Sequence, residues 1–236
     1  MKTRNPNCWN INYKTHIGQH FQKHVKKDGN KKQLVKSGHL FSDRSNDGQC
    51  AVFRILKEVA SEKIVAIQIW DHFKQEQCPL TLINEVCEIS HSFSIPVFIN
   101  NKWELFKTTK LDGVHFDEIP EDLELIKKQI DRNFLWGLTC NNDLTTVRWA
   151  ADNNADYISF CSMFPSLSAN SCELVVFDTI KEAKTIFKKP VFLAGGITPE
   201  NIRELKELDF TGVAVISGIM KSDDPVTAVE AYYNNL

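Results

Sequence analysis

The sequence predicts a single α/β domain of the (β/α)8 TIM-barrel class, preceded by a basic extension, and three observations carry that expectation. Short β-rich runs alternate with amphipathic segments from Gly38 onward, the pattern of repeated βα units around a parallel sheet. Eight strand and eight helix candidates fit into about 200 residues, the usual economy of such barrels. Glycines follow the seventh and eighth strand candidates, Gly195-Gly196 and Gly218, where barrels of this class often build a phosphate site.

Residues 1–37 hold nine Lys/Arg against the single acid Asp28, a net of +8, so the body carries −10 to reach the chain's −2. The stretch is poor in aliphatic residues and reads as an extension, with the barrel over 38–236. A basic arm is compatible with contact to nucleic acid or lipid headgroups, and more simply with a solvated tail. His16, His20 and His24 recur every four residues. On a helix they would share one face, a spacing that can bind a transition metal, although Gly18 interrupts it.

The strand candidates are His39–Ser42, Ile64–Trp70, Pro96–Asn100, Gly113–His115, Phe134–Leu138, Tyr157–Cys161, Pro190–Ala194 and Gly212–Ile216. Helix candidates lie around 50–61, 80–94, 102–109, 121–131, 143–153, 173–188, 199–208 and 225–235. Pro120-Glu121-Asp122, Thr198-Pro199-Glu200 and Asp224-Pro225 each place a cap or a first-turn proline ahead of an apolar-periodic run. The structural alternative is an open doubly wound sheet. It would more often show a glycine-rich turn after the first strand, and Ser42-Asp43-Arg44 is not one.

Composition narrows the class. Apolar residues make up 42% and charged residues 25%, which excludes a disordered chain. No run approaches the roughly 20 apolar residues of a spanning helix, and the polar start lacks the apolar core of a signal peptide. The seven cysteines are scattered, odd in number and never form Cys-x-x-Cys, so reduced thiols in a cytoplasm are expected rather than disulfides or structural zinc.

In such barrels the chemistry sits at the C-terminal ends of the strands. Gly195-Gly196 lets backbone approach an anion and present amides. Ile216-Ser217-Gly218 can open a short helix whose N-terminus attracts negative charge. Gln68 interrupts an apolar strand, Asn100 and Asn101 end the third, His115 the fourth and Thr139 the fifth, while Ser162 and Ser166 follow the sixth. For Gln68 and Asn100 a hydrogen-bonded core amide weighs evenly with ligand binding. His115 reads as a satisfied structural histidine before it reads as a catalyst. Asp71, His72, Asp117 and Glu118 are the titrating groups nearest the expected mouth, with Asp71, Asp117 and Glu118 the candidate ligands of a divalent metal.

Three segments then carry a family resemblance: Ala155-Asp156-Tyr157-Ile158 through Phe164-Pro165-Ser166, Ala194-Gly195-Gly196-Ile197-Thr198-Pro199-Glu200-Asn201, and Gly212-Val213-Ala214-Val215-Ile216-Ser217-Gly218-Ile219. Leu40-Phe41-Ser42-Asp43-Arg44, Gln68, Asn100 and Asp112-Gly113-Val114-His115 match more weakly and in the same order. Over about residues 38–236 the chain resembles the thiamine phosphate synthase and thiazole tautomerase superfamily. For the synthase, the resemblance implies coupling of hydroxymethylpyrimidine diphosphate to thiazole phosphate, with Mg2+ and release of pyrophosphate, through a dissociative step in which the pyrimidine leaves as a stabilised cation. It further implies Gln68 and Asn100 on the pyrimidine diphosphate, Thr139 on the pyrophosphate and Ser166 on the thiazole side. Gly195, Gly196, Ile216, Ser217 and Gly218 would hold the thiazole phosphate.

The chain also departs from the family pattern. Where an arginine, an acid and a lysine usually follow Gln68, it has Trp70, Asp71 and His72. Asn101 and Pro120 stand at the two magnesium-binding aspartates, and Ala169 at an expected lysine. The tautomerase branch dispenses with the diphosphate machinery but uses a histidine where Asn141 lies, leaving His72 or His115 to move the proton. Three functions are therefore expected in order: a divergent thiamine phosphate synthase, with Gln68, His72, Asn100 and Thr139 as catalytic candidates; a non-catalytic binder of thiazole phosphate or thiamine phosphate; and a tautomerase with a relocated base. The expected partner is a phosphorylated small molecule, with a homodimer left open, nucleic acid disfavoured and no membrane.

Overall fold

The computed structural model describes residues 32–37, 46–61, 63–70, 79–165 and 173–236. Its strands are β1 (Lys32–Ser37), β2 (Ile64–Ile69), β3 (Val97–Asn100), β4 (Gly113–Phe116), β5 (Leu135–Cys140), β6 (Tyr157–Cys161), β7 (Val191–Ala194) and β8 (Gly212–Val215). The helices are α1 (Asn46–Val59), α2 (Pro79–Ser92), α3 (Leu123–Ile130), α4 (Leu144–Asp152), α5 (Phe177–Ile186), α6 (Ser217–Met220) and α7 (Pro225–Asn235). Strands β2 to β8 form a curled, wholly parallel sheet in sequence order, a TIM-barrel-like α/β fold. The backbone of β1 lies between its two edges, paired with β2 on one side and β8 on the other, so the strand order runs as a ring. A doubly wound sheet would reverse its order partway, and this one does not.

The first strand corrects the sequence reading. It occupies Lys32–Ser37, inside the stretch assigned to the extension, and the boundary after residue 37 moves to Lys32 or before. Its sequence, KQLVKS, sets two aliphatics among lysines and a glutamine, too little β signal to stand out from a basic arm. The expected strand His39–Ser42 lies outside the described residues. A second correction concerns two helix candidates: 102–109 and 199–208 form 3-10 turns at Trp103–Lys107 and Asn201–Glu207. Both are short, and tighter winding suits brief connectors between a strand and the next crossover.

Local chemistry accounts for the helix starts. Asp122, Asp143 and Asp224 each accept from a backbone amide of the first turn, at Leu125 (2.8 Å), Thr145 (2.8 Å) and Thr227 (3.0 Å), and Pro225 opens α7 where no amide is missed. In α1, Val52, Ile55, Leu56 and Val59 recur at helical spacing and are buried against the sheet. Strand β2 is buried along its whole length, as expected of a parallel strand covered on both faces.

Among the described residues two apolar cores result. The larger fills the space between sheet and helices, and a smaller one lies inside the ring, built on Ala66, Phe98, Tyr157, Phe192, Ala194 and Ala214. The inner core works by pairing a ring with a glycine on the adjacent strand. Phe98 is registered with Gly113, Tyr157 with Gly137 and Phe192 with Gly212. A Cβ on Gly113 or Gly137 would fall within the neighbouring ring. Tyr157 meets Phe98 and Phe192 edge to face at 5.5 and 5.6 Å, the favoured geometry for aromatic pairs. This plug closes the interior and leaves the polar side chains above it at the C-terminal ends of the strands.

Candidate functional site

Three polar groups stand at that end, each placed by a strand terminus. The first joins β2, β3 and β4. The Gln68 amide donates to Asn100 Oδ1 at 2.6 Å, and Asn100 Nδ2 donates to Asp117 Oδ2 at 2.6 Å. The same oxygen accepts from Asn101 Nδ2 at 2.9 Å, while the Asp117 amide returns a bond to Asn101 Oδ1 at 3.0 Å. Asn101 adopts a left-handed φ of 50°, a conformation asparagine tolerates better than most residues. Gln68 and Asn100 are both 1% exposed. They are thus hydrogen-bonded core amides whose ladder ends on a solvent-facing carboxylate. Beyond it lies a groove of about 590 Å3 lined by Asn101, Trp103, Asp117, Glu118, Ile119 and Glu121, among others.

The second group runs from β4 to β6. His115 is fully buried, with Nδ1 at 2.9 Å from the Tyr157 hydroxyl and Nε2 at 2.8 Å from Thr139 Oγ1. Ser159 Oγ lies 3.4 Å from Thr139 Oγ1. Burial pushes the Tyr157 phenol well above its ordinary range, so it stays protonated. Both ring nitrogens of His115 are engaged, and Thr139, half-buried, is the member of the chain nearest solvent.

The third group is the pair of turns after β7 and β8. Gly195 and Gly196 have φ of +90° and +66°, a region that costs an L-residue about 1–2 kcal/mol. Space forbids a side chain too: a Cβ on Gly195 would meet Ser162, and one on Gly196 would sit 2.5 Å from the Phe164 carbonyl oxygen. The β6 and β7 loops are clasped, Met163 and Phe164 amides donating to the Ala194 and Gly195 carbonyls at 2.9 and 3.0 Å. Asn201 braces the turn from the far side through Gly196 O (2.9 Å) and the Thr198 amide (2.8 Å). After β8, Ile216 caps α6 without a side-chain hydrogen bond, which leaves the first amides of that turn to an outside acceptor. Gly218 has a packing reason of its own. A Cβ there would collide with the Tyr232 hydroxyl, which donates to Ile197 O at 3.0 Å and ties α7 to the β7 turn. Together the two turns can offer backbone amides to an anion.

The structure therefore sets Gln68, Asn100, Thr139, Gly195, Gly196, Ile216, Ser217 and Gly218 on loops and strand ends at one end of the sheet. Asp117 sits on the amide ladder and Glu118 is exposed beside it. Asp71, His72 and Ser166 lie outside the described residues, as do His16, His20 and His24. Among the described residues no three His, Cys, Asp or Glu converge on a metal position, and no helix is long and apolar enough to cross a membrane. Sequence reasoning missed the link of Tyr157 to His115. The only signal was the glycine at 137, which leaves room for a large ring.

Comparison with known proteins fits this geometry. The family model described as thiamine monophosphate synthase matches residues 39–219. The thiamine-phosphate synthase of Nitrosococcus oceani is 31% identical over 144 residues, 61% of this chain and 66% of the relative. That of Clostridium tetani is 26% identical over 181 residues, 75% of this chain and 86% of the relative. Among solved structures, a thiamine phosphate pyrophosphorylase from Pyrococcus furiosus superposes with a TM-score of 0.70 over 86% of this chain and 94% of its own, at 21% identity, a likeness of fold. The family match runs from just past β1 into α6, through all three polar groups, and on that extent the chain belongs to the thiamine monophosphate synthase family.

Proposed function

We propose that this chain is a divergent thiamine phosphate synthase on a complete (β/α)8 barrel, joining hydroxymethylpyrimidine diphosphate to thiazole phosphate with release of pyrophosphate. The observation that carries this reading is the pair of turns at Gly195-Gly196 and Ile216-Ser217-Gly218, whose backbone is built to approach an anion. In this reading those amides hold the thiazole phosphate, with Ser166 on the thiazole side. The Gln68–Asn100 ladder holds the pyrimidine end, and the Thr139 hydroxyl donates to the departing pyrophosphate.

The residues present do not make a preformed magnesium cage. Asp117 Oδ2 is already taken by two amides, and Asn101 stands where the family carries a carboxylate. Magnesium usually arrives with substrate phosphates and needs only one or two protein carboxylates. Asp117 and Glu118 are the acids that such a complex would meet.

The same Asn101 favours a second reading, a non-catalytic binder of thiazole phosphate or thiamine phosphate. Incubating the protein with both substrates and Mg2+, and following thiamine phosphate as its fluorescent thiochrome, separates the two. Product formation supports the synthase. Binding of thiazole phosphate without product leaves the binder, and failure of both overturns the site assignment. A tautomerase using His115 as its base is disfavoured, because both ring nitrogens are engaged below the mouth.

A further inference from the structure

Thr139 stands at the top of a hydrogen-bond chain that reaches into the apolar plug, and the chain has a direction. A neutral imidazole offers one donor and one acceptor, so whichever nitrogen accepts fixes what the other does. Between a phenol and an imidazole, the stronger pairing has the phenol donating, since its own oxygen is a poor acceptor and the ring nitrogen a good one. Tyr157 sits 2.9 Å from His115 Nδ1, its ring locked edge to face between Phe98 and Phe192 and stacked on the imidazole at 5.5 Å. With the phenol donating, Nδ1 is bare and Nε2 carries the hydrogen. Nε2–H then donates to Thr139 Oγ1 at 2.8 Å. A hydroxyl receiving that bond cannot donate back along it, so its own hydrogen is left for another acceptor: Ser159 Oγ at 3.4 Å when the mouth holds none, or an anion when it does.

We infer that Tyr157 and His115 are positioning residues that fix the Thr139 hydroxyl as an outward hydrogen-bond donor, tuned to an anionic diphosphate group at the mouth. The inference rests on the proposed reading that Thr139 meets the pyrophosphate. Neither positioning residue touches substrate. Their contribution is to remove the orientation in which Thr139 points its hydrogen inward and turns only lone pairs toward the anion.

The test is a double-mutant cycle on the full chain with Thr139→Val, Tyr157→Phe and the pair, reading the affinity for inorganic pyrophosphate by calorimetry and KM against kcat for hydroxymethylpyrimidine diphosphate. Thr139→Val should weaken pyrophosphate by about tenfold or more, the usual worth of a hydrogen bond to a charged group. Tyr157→Phe keeps the ring and removes one oxygen; it should weaken pyrophosphate by about threefold to tenfold, the usual worth of a neutral hydrogen bond. The double variant should bind no worse than Thr139→Val alone. If Thr139→Val leaves affinity unchanged, the underlying assignment of Thr139 fails. If Thr139→Val weakens binding but Tyr157→Phe is silent, or its effect simply adds, the positioning role fails and the assignment survives. Nitrogen NMR of His115 in the unmodified protein gives an answer independent of how the variants fold: hydrogen on Nε2 and a bare Nδ1 agree with the inference, and the opposite tautomer overturns it.

Discussion

Replacing Gly196 with valine perturbs the β7 turn in two ways that the structure separates. At φ +66° a residue with a Cβ costs about 1–2 kcal/mol before any neighbour is considered. The new Cβ would then stand 2.5 Å from the Phe164 carbonyl oxygen and 2.8 Å from its carbon. Those atoms are backbone and are clasped to Gly195 O through the Phe164 amide, so the turn itself must move. Overpacking of this kind costs about 1–3 kcal/mol, and the sum, about 2–5 kcal/mol, should lower the unfolding midpoint visibly while leaving a folded majority. Binding should suffer more selectively. A displaced turn withdraws amides that each contribute about 1.5–3 kcal/mol toward a charged acceptor. Losing one weakens thiazole phosphate about tenfold to 150-fold, and losing two abolishes detectable binding. Calorimetric titration of thiazole phosphate into both proteins, with thermal unfolding alongside, reads the two effects. Unchanged affinity in a folded Gly196→Val variant would refute the assignment of this turn.

Two further outcomes follow from residues away from the mouth. Asp112, 9% exposed, accepts from His91 Nε2 at 2.7 Å and from the buried Val97 amide at 2.8 Å, fastening α2, β3 and β4 below the plug. Asp112→Ala should cost about 2–5 kcal/mol in urea unfolding by removing the acceptor of both bonds and leaving the buried Val97 amide unpaired, and a loss under about 1 kcal/mol would contradict that fastening role. Burial pushes the Cys140 thiol up to about 12 and the Cys87 thiol higher still. In variants retaining only one of these cysteines, the native protein should resist a disulfide reagent at pH 8 until denaturant is added; prompt reaction at Cys140 would show that the outer core opens there.

The fold was legible wherever strand and helix periods were undiluted. Seven strands fall within two residues of their expected ends because β2 to β8 are mainly apolar runs, each broken by at most one or two polar residues and bounded by turn or capping residues. Strand β1 escaped because two aliphatics flanked by lysines carry almost no pattern. The glycine turns were readable because sequence adjacency is enough to bend backbone. The amide ladder was half readable: Gln68 and Asn100 were picked out as either ligands or core amides, and the structure makes them bonded amides that terminate on Asp117. The Tyr157–His115–Thr139 chain was not readable, since it joins side chains 24 and 42 residues apart that only the parallel register brings together. Gly218 was assigned to phosphate, and it also has a packing duty toward Tyr232 that no local pattern announces.

A crystal structure of the protein soaked with thiazole phosphate shows directly where the phosphate is held. The phosphate should lie within hydrogen-bond distance of backbone amides in both turns, at Gly195-Gly196 and at Ile216-Ser217, with the thiazole ring toward the β6 loop. Phosphate density bound elsewhere, with both turns bare in a ligand-saturated crystal, would contradict it.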